Sequence, residues 1–479
     1  MELTSTEFVL LLPFVVLVYY LIPKKARQYY LILINLLFYS TFGYKYILVV
    51  LGEAILAWIA ARLISKSENE GILRRRWMVI AISSLILLLL FFKLGANITT
   101  SIVAPLGISF YTLQAISYVV DVERKEIEAE KSLVRLIMYL SFFPTITSGP
   151  IYRYKNFIDD HSRNITELKP EYNRIINGII YVIYGYFLKL VISIRVQIAV
   201  DSVFADHRTA QYGWITLAVV AILYSIQIYS DFAGYSAIVI GIGHILGYRI
   251  PENFKAPYLS GSIREFWGRW HISLSSWLKD YIYIPLGGNR KGRIRKYLNI
   301  MITFIISGFW HGANGLHYIV WGALHGLYQL LGDITGAIRD RYVEKIGIVR
   351  QSGFHLFIKR VSTFIFVTLA WIFFRTGVTD ALIYIREMFT TSGIVKALNG
   401  ELLTVGLSMG DWILLLFSLA LVYMIDRILY EKGMRFDTLV ASQGSLARCI
   451  VVIVLSLVIL IFGIYGDRHD AGYFIYQGF

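Results

Sequence analysis

Apolar stretches of about twenty residues recur along the whole chain, separated by short connections rich in Lys, Arg, Gly and Pro. A helix rises ~1.5 Å per residue, so roughly twenty apolar residues cross the ~30 Å hydrocarbon core of a bilayer. The pattern predicts helices near 8–22, 29–43, 46–64, 77–94, 104–120, 174–195, 213–231, 297–313, 318–332, 359–376, 411–430 and 447–466. The expected fold class is therefore all-α, a polytopic membrane protein with about twelve transmembrane helices. Two further apolar pieces, 133–151 and 232–247, are interrupted by Pro or Gly. They are expected to be re-entrant or interfacial, which is tolerated where protein or a water-filled cavity shields the backbone. The N-terminal run lacks a basic n-region and a small-residue cleavage site, and reads as a retained first span.

Residues 264–284 follow a different rule. Phe266, Trp267, Trp270, Leu274, Trp277, Leu278 and Tyr281 recur at helical spacing, with Arg269, Ser273, Ser276, Lys279 and Asp280 across from them. The spacing predicts one amphipathic helix with Trp at its boundary, lying in the membrane interface. Pro285, Gly287 and Gly288 end it, and the basic run NRKGRIRK (289–296) follows at once. That run anchors the segment on the cytoplasmic side and would attract anionic lipid or a phosphorylated cosubstrate.

Composition narrows the class. The chain has 479 residues, 57% hydrophobic and 16% charged, with a mean hydropathy of +0.60. Too little charge is present for a soluble globular surface. The net charge of +14 fits basic cytoplasmic loops, and no soluble basic domain with aromatic platforms suggests nucleic acid as a partner. Lys24–Arg27, Arg74–Arg76, Arg153–Arg163, Arg290–Lys296, Arg339–Arg350 and Arg427–Arg435 fall on one side if the two interrupted segments do not cross. Both termini then face outward. No repeat, linker or soluble domain is visible, so 1–479 is expected to be one integral membrane domain. The single cysteine, Cys449, permits neither an intrachain disulfide nor a cysteine-based zinc site.

Ionisable groups are costly at membrane depth, so a histidine there is a functional candidate. Counted from Lys296, His311 lies roughly 22 Å along its span, beyond the midplane. Ser307, His311 and Asn314 form a polar stripe on one helical face. Gly308 and Gly312 beside it permit either close helix approach or access for a narrow substrate. His271 lies on the stripe of Trp267, Leu274 and Leu278, and an imidazole there can exchange protons near neutral pH. His325 is expected to pack or bridge helices, His317 to lie at a loop, and His244 to be structural. His161, His207, His355 and His469 stand in polar surroundings and are expected to be solvated. No His-Glu-x-x-His pair, Walker A loop or Gly-x-Ser-x-Gly elbow occurs. No metal site, ATP hydrolysis or ordinary serine hydrolase is therefore expected.

The runs SDFAGYS (230–236), PENFKAPYLS (251–260), FWGRWHISLSSWLKDYIYIPLGG (266–288) and SGFWHGAN (307–314) resemble, in this order, the membrane-bound O-acyltransferase (MBOAT) family. The resemblance is to its bacterial branch of alginate and peptidoglycan O-acetyltransferases, with features of the teichoic acid D-alanyl transferase branch. It covers roughly 105–330, the expected catalytic core. It implies a helical ring around a thin floor pierced by a central tunnel, with His311 as the principal catalytic residue and His271 as the second. Trp267, Trp310, Ser307 and Asn314 are the tunnel-lining candidates, and Arg290, Lys291 and Arg293 the candidates for donor binding. The implied cosubstrate is acetyl-coenzyme A or a carrier-bound acyl thioester, with no tightly bound cofactor. The implied reaction is O-acylation of a cell-surface polysaccharide from a bacterial inner membrane. Implied partners are membrane lipids, an extracytoplasmic acyltransferase of the SGNH or Ser-His-Asp type, and a cytoplasmic acyl carrier protein. Two departures separate the chain from the alginate-type pattern. Thr145 stands where those enzymes commonly carry His, and Ala237 where many acetyltransferases carry Asp. The ending FIYQGF resembles an aromatic-Tyr terminus of this family, so Tyr476, in an extracytoplasmic tail (467–479), is a candidate acyl relay. D-alanyl transfer to teichoic acids and, in another class, a lipid or solute transporter remain alternatives.

Overall fold

The structure, a computed structural model, describes residues 2–67, 69–98, 103–205, 209, 211–312, 315–350 and 352–465. Among them every regular element is helical, and none is a strand. Seven helices are long and apolar enough to cross a membrane. They are Tyr44–Lys66, Gly71–Gly95, Tyr172–Phe204, Trp214–Leu246, Gly353–Arg375, Met409–Lys432 and Ser445–Phe462, and each covers an expected span. The other five expected spans are also helical: Thr6–Leu21, Arg27–Ser40, Ile108–Glu123, Gly292–His311 and Leu316–Lys345. They are shorter or more polar than the seven.

Burial sorts the helices into an inner and an outer set. In Ile108–Glu123 every residue from Ile108 to Val122 is buried, and 72% of the apolar window of Trp214–Leu246 is buried, against 6% of that of Ser445–Phe462. Leu10, Leu87, Phe417 and Leu460 are exposed on the outer helices. Apolar side chains turned outward in this way fit a hydrocarbon surround.

The segment 232–247 is not interrupted, contrary to expectation. It completes the single 33-residue helix Trp214–Leu246. Its glycines serve contact with the neighbouring helix Tyr172–Tyr186. A Cβ on Gly234 would lie 2.8 Å from the Gly185 carbonyl oxygen, and one on Gly241 would lie 2.5 Å from that of Gly178. Small residues let two backbones meet, and in apolar surroundings the helix keeps its own hydrogen bonds through them. The segment 133–151 does break. The short helix Leu133–Leu140 gives way to irregular backbone at 141–153. That backbone is shielded by protein: the Phe143 amide donates to Asn35 Oδ1 at 3.0 Å and the Ile151 amide to Ser273 Oγ at 3.0 Å.

Within the Tyr172–Phe204 span the helix widens into a π turn over Phe187–Ser193. The turn carries Lys189, whose Nζ donates to Asp231 of the motif SDFAGYS. Both side chains are only 2% exposed.

His161 corrects a second expectation. Instead of being solvated it is buried, with Nδ1 3.1 Å from the Tyr248 hydroxyl and its ring stacked on Phe157 at 6.0 Å. Its polar neighbours Asp159, Asp160 and Ser162 hide the fact that it follows Phe157 by one turn, on the inward face of the amphipathic helix Tyr154–Thr166. Burial, assisted by Arg135, pushes its imidazole down to about 4. The unfolded chain takes up this proton near the ordinary histidine value of 6.5, whereas the folded protein resists until about 4. Stability at this site is therefore lost as pH falls across that window, by up to ~3 kcal/mol. Thermal unfolding of His161→Gln at pH 7 and pH 5 (roughly, inside the window) should show a smaller acid-induced fall in Tm than the parent protein.

Candidate active site

The aromatic stripe of 264–284 folds as two short helices, not one. Ile263–Trp267 starts at Ser262, whose Oγ accepts the Glu265 amide at 3.2 Å. Ile272–Leu278 starts after His271, and a π turn over Lys279–Tyr283 follows. The break is made by the segment PENFKAPYLS. The Ile272 amide donates to the Asn253 carbonyl at 2.9 Å, and the Lys255 amide to that of Arg269 at 3.0 Å. His271 itself takes a left-handed backbone, φ +43°. A non-glycine residue pays about 1–3 kcal/mol for such a conformation, and sites that retain it cluster at functional centres. The element is also not a surface helix. Phe266, Trp270, Leu274 and Trp277 are buried, and Trp270 packs at 5.0 Å on both Phe254 and Trp371.

His271 is 1% exposed. Phe232 meets its ring edge-on at 4.6 Å, and Phe110 stacks at 6.4 Å. Its Nδ1 is 3.3 Å from Asn253 Oδ1. His311 ends the helix Gly292–His311 and is 2% exposed. Its ring lies 5.1 Å from Trp321 and 5.3 Å from Phe374. Trp310 joins the two histidines, with its ring 4.8 Å from His311 and 6.5 Å from His271. Lys93 Nζ donates to the Trp310 carbonyl and lies 5.6 Å from its ring. A cation at that point complements the carbonyl end of a helix.

The glycines beside His311 serve helix approach. A Cβ on Gly308 would meet the Tyr318 carbonyl oxygen at 2.3 Å, and one on Gly322 would meet that of Phe304 at 2.3 Å. The helices Gly292–His311 and Leu316–Lys345 therefore touch backbone to backbone, which fixes His311 against Trp321.

The other candidates separate. Ser307 is buried on the His311 helix. Trp267 donates its Nε1–H to His325 Nδ1 at 3.2 Å, so these two bridge elements, as expected of His325. Arg290, Lys291 and Arg293 are exposed around the start of Gly292–His311. Asn314 and Tyr476 lie outside the described residues, as do His207 and His469. Sequence reasoning assigned no role to Ser236, Asn253 and Ser273, although all three lie in the quoted motifs.

Two cavities come close to His271 through its neighbours Asn253, Ile272 and Ser273. One, of about 830 Å³, is walled by Arg124, Arg153, Lys155 and Asp280 and reaches Ile272 and Ser273. The other, of about 430 Å³, is walled by Tyr229, Asp426, Ser236 and Asn253 among others. Neither has His271 or His311 in its wall.

Apolar spans enclose this pair of imidazoles, and the two cavities reach Asn253, Ile272 and Ser273 beside His271. The MBOAT, membrane-bound O-acyltransferase, family model matches residues 123–375, a stretch that includes both histidines. A probable alginate O-acetylase of Pseudomonas aeruginosa is 32% identical over 443 residues, 88% of this chain and 81% of its own. A peptidoglycan O-acetyltransferase of Helicobacter pylori is 30% identical over 436 residues, 80% of this chain and 78% of its own. A teichoic acid D-alanyltransferase of Bacillus subtilis is 31% identical over 237 residues, 47% of this chain and 58% of its own. The chain belongs to the MBOAT family and is a membrane-bound acyltransferase.

Proposed function

We propose that this acyltransferase moves an acyl group, acetyl in the first instance, from a cytoplasmic thioester across the membrane for O-acylation of a cell-surface polysaccharide. One observation carries the reading: two motifs, on separate helices, each bring a buried imidazole against the Trp310 ring. His311 removes the proton from the attacking hydroxyl while its oxygen bonds to the thioester carbonyl carbon. The C–S bond then breaks and the sulfur leaves, taking up a proton. A placed base contributes typically ~10²–10⁴-fold. His271 helps to position or polarise the thioester. The aromatic walls keep out water, which would otherwise compete for the acyl group.

We assign the donor to the cavity reaching Ser273, whose wall carries Arg124, Arg153 and Lys155 beside Asp121, Glu126, Glu252 and Asp280. Pro285 stands in its wall, and the exposed Arg290, Lys291 and Arg293 follow closely in sequence. These cations offer charge to the phosphates of coenzyme A or to an acidic carrier protein. Tyr476 relays the acyl group to an extracytoplasmic transferase. Acetyl is favoured over D-alanyl because the acetylase relatives match 88% and 80% of the chain, against 47% for the D-alanyltransferase.

Mass analysis of surface glycans from cells with and without the protein tests the reading. Loss of an O-acetyl group from a polysaccharide is expected; unchanged glycans contradict it, and loss of D-alanine from teichoic acid redirects it to the other branch.

A further inference from the structure

Two of the four motifs, SDFAGYS and PENFKAPYLS, supply no group to the chemistry above. They meet at one amide. Asn253 is buried, and its Oδ1 faces the Ser273 amide at 3.2 Å, Ser273 Oγ at 2.6 Å and His271 Nδ1 at 3.3 Å. Its Nδ2 donates to Ser236 Oγ at 3.3 Å.

Hydrogens can be assigned here by elimination. The Ser273 backbone N–H can only donate, so the Asn253 atom opposite it must be the oxygen. The Ile151 amide also can only donate, and it does so to Ser273 Oγ at 3.0 Å. The Ser273 hydroxyl therefore spends its one hydrogen on Asn253 Oδ1. A flipped amide would turn N–H groups toward the Ser273 amide and remove the acceptor of the Ser273 hydroxyl, leaving polar groups buried and unsatisfied, which costs about 1–3 kcal/mol each. With the oxygen fixed, the His271 nitrogen opposite it must carry hydrogen. The bond made by one ring nitrogen sets the proton on the other.

We infer that Asn253 is a positioning residue of the acyl-transfer site, holding neutral His271 as the Nδ1–H tautomer so that Nε2 is its basic nitrogen. Ser273 fixes the amide oxygen and Ser236 receives the amide hydrogen. The assignment rests on the proposed role of His271 and sharpens it. Neutral His271 accepts a proton through Nε2 and cannot donate from that atom. It polarises a thioester oxygen only as the imidazolium, whose Nδ1–H remains on Asn253 while Nε2–H becomes the donor. The left-handed backbone at His271 and the Ile272 amide bond to the Asn253 carbonyl hold the ring and the amide in register.

The test is nitrogen NMR of the full-length protein in detergent with ¹⁵N-labelled histidine. His271 is assigned by the signals missing from His271→Gln. The parent protein should show a protonated Nδ1 and an unprotonated Nε2 at a pH where the ring is neutral. Asn253→Asp, which keeps an acceptor in place, should preserve that pattern. Asn253→Ala should lose it and lower kcat by about 10–100-fold, the usual cost of removing a partner of this kind, with a smaller change in KM. A proton on Nε2 of His271 in the parent protein overturns the assignment even if no Asn253 variant folds. The expected spectra with an unchanged kcat in Asn253→Ala overturn the positioning role. Because the spectra need no substrate, failure of the tautomer assignment is distinguishable from failure of the acyl-transfer reading.

Discussion

Replacing His311 with Gln abolishes acyl transfer and leaves the protein folded in the membrane. Glutamine keeps polarity and approximate length but cannot accept a proton near neutral pH. The loss expected from removing a placed base is ~10²–10⁴-fold in kcat. The fold should survive because the ring contributes one surface to a packed aromatic cluster, with Trp310, Trp321 and Phe374 intact around it. Side-chain truncation to Ala would leave a cavity there and confuse the two effects. Steady-state transfer by the purified variant, together with its Tm, separates them. Activity within tenfold of the parent, at an unchanged Tm, would remove His311 from the chemistry.

The second large effect concerns stability. Asp231→Leu leaves Lys189 charged and buried in the membrane-spanning core, where its carboxylate partner stood. Breaking a buried pair from one side costs about 3–5 kcal/mol, because the remaining ion loses its counter-charge. Replacing both residues with apolar side chains, Lys189→Met with Asp231→Leu, removes that penalty. The double variant should therefore be more stable than the Asp231→Leu single variant. Thermal unfolding of both single variants and the double variant measures the coupling. Additive losses would show that the pair acts independently. The π turn over Phe187–Ser193 gives the effect a local reason, since the extra residue in the turn carries Lys189 at the level of Asp231.

The two buried imidazoles were easier to read from the sequence than the backbone that holds them. His311 stood out because a titratable side chain interrupts an apolar pattern, and its burial follows from that pattern. His271 was found on the same ground, but the left-handed turn that presents it was hidden. Aromatic residues keep helical spacing straight across the break, while the backbone partners that end the helix come from 253–255, remote in sequence. Hydrophobic periodicity cannot register a partner of that kind. Glycines misled in the other direction. Gly234 and Gly241 suggested an interrupted segment, yet Gly178 and Gly185 on the partner helix repeat their spacing. Matching spacings on two helices signal a close crossing, and that comparison would have restored the continuous helix. His161 was misplaced because local polarity outweighed one inward position on a short amphipathic helix.

The most direct measurement uses sealed proteoliposomes with the protein in a single orientation. Radiolabelled acetyl-coenzyme A is supplied on the face of the basic segments, and a polysaccharide with free hydroxyls is trapped on the other. Label should appear as an ester, on the trapped polysaccharide or on Tyr476 of the parent protein, and vanish with His311→Gln. Passage of intact solute without covalent change, or equal labelling by both proteins, would contradict transfer at the buried imidazole pair.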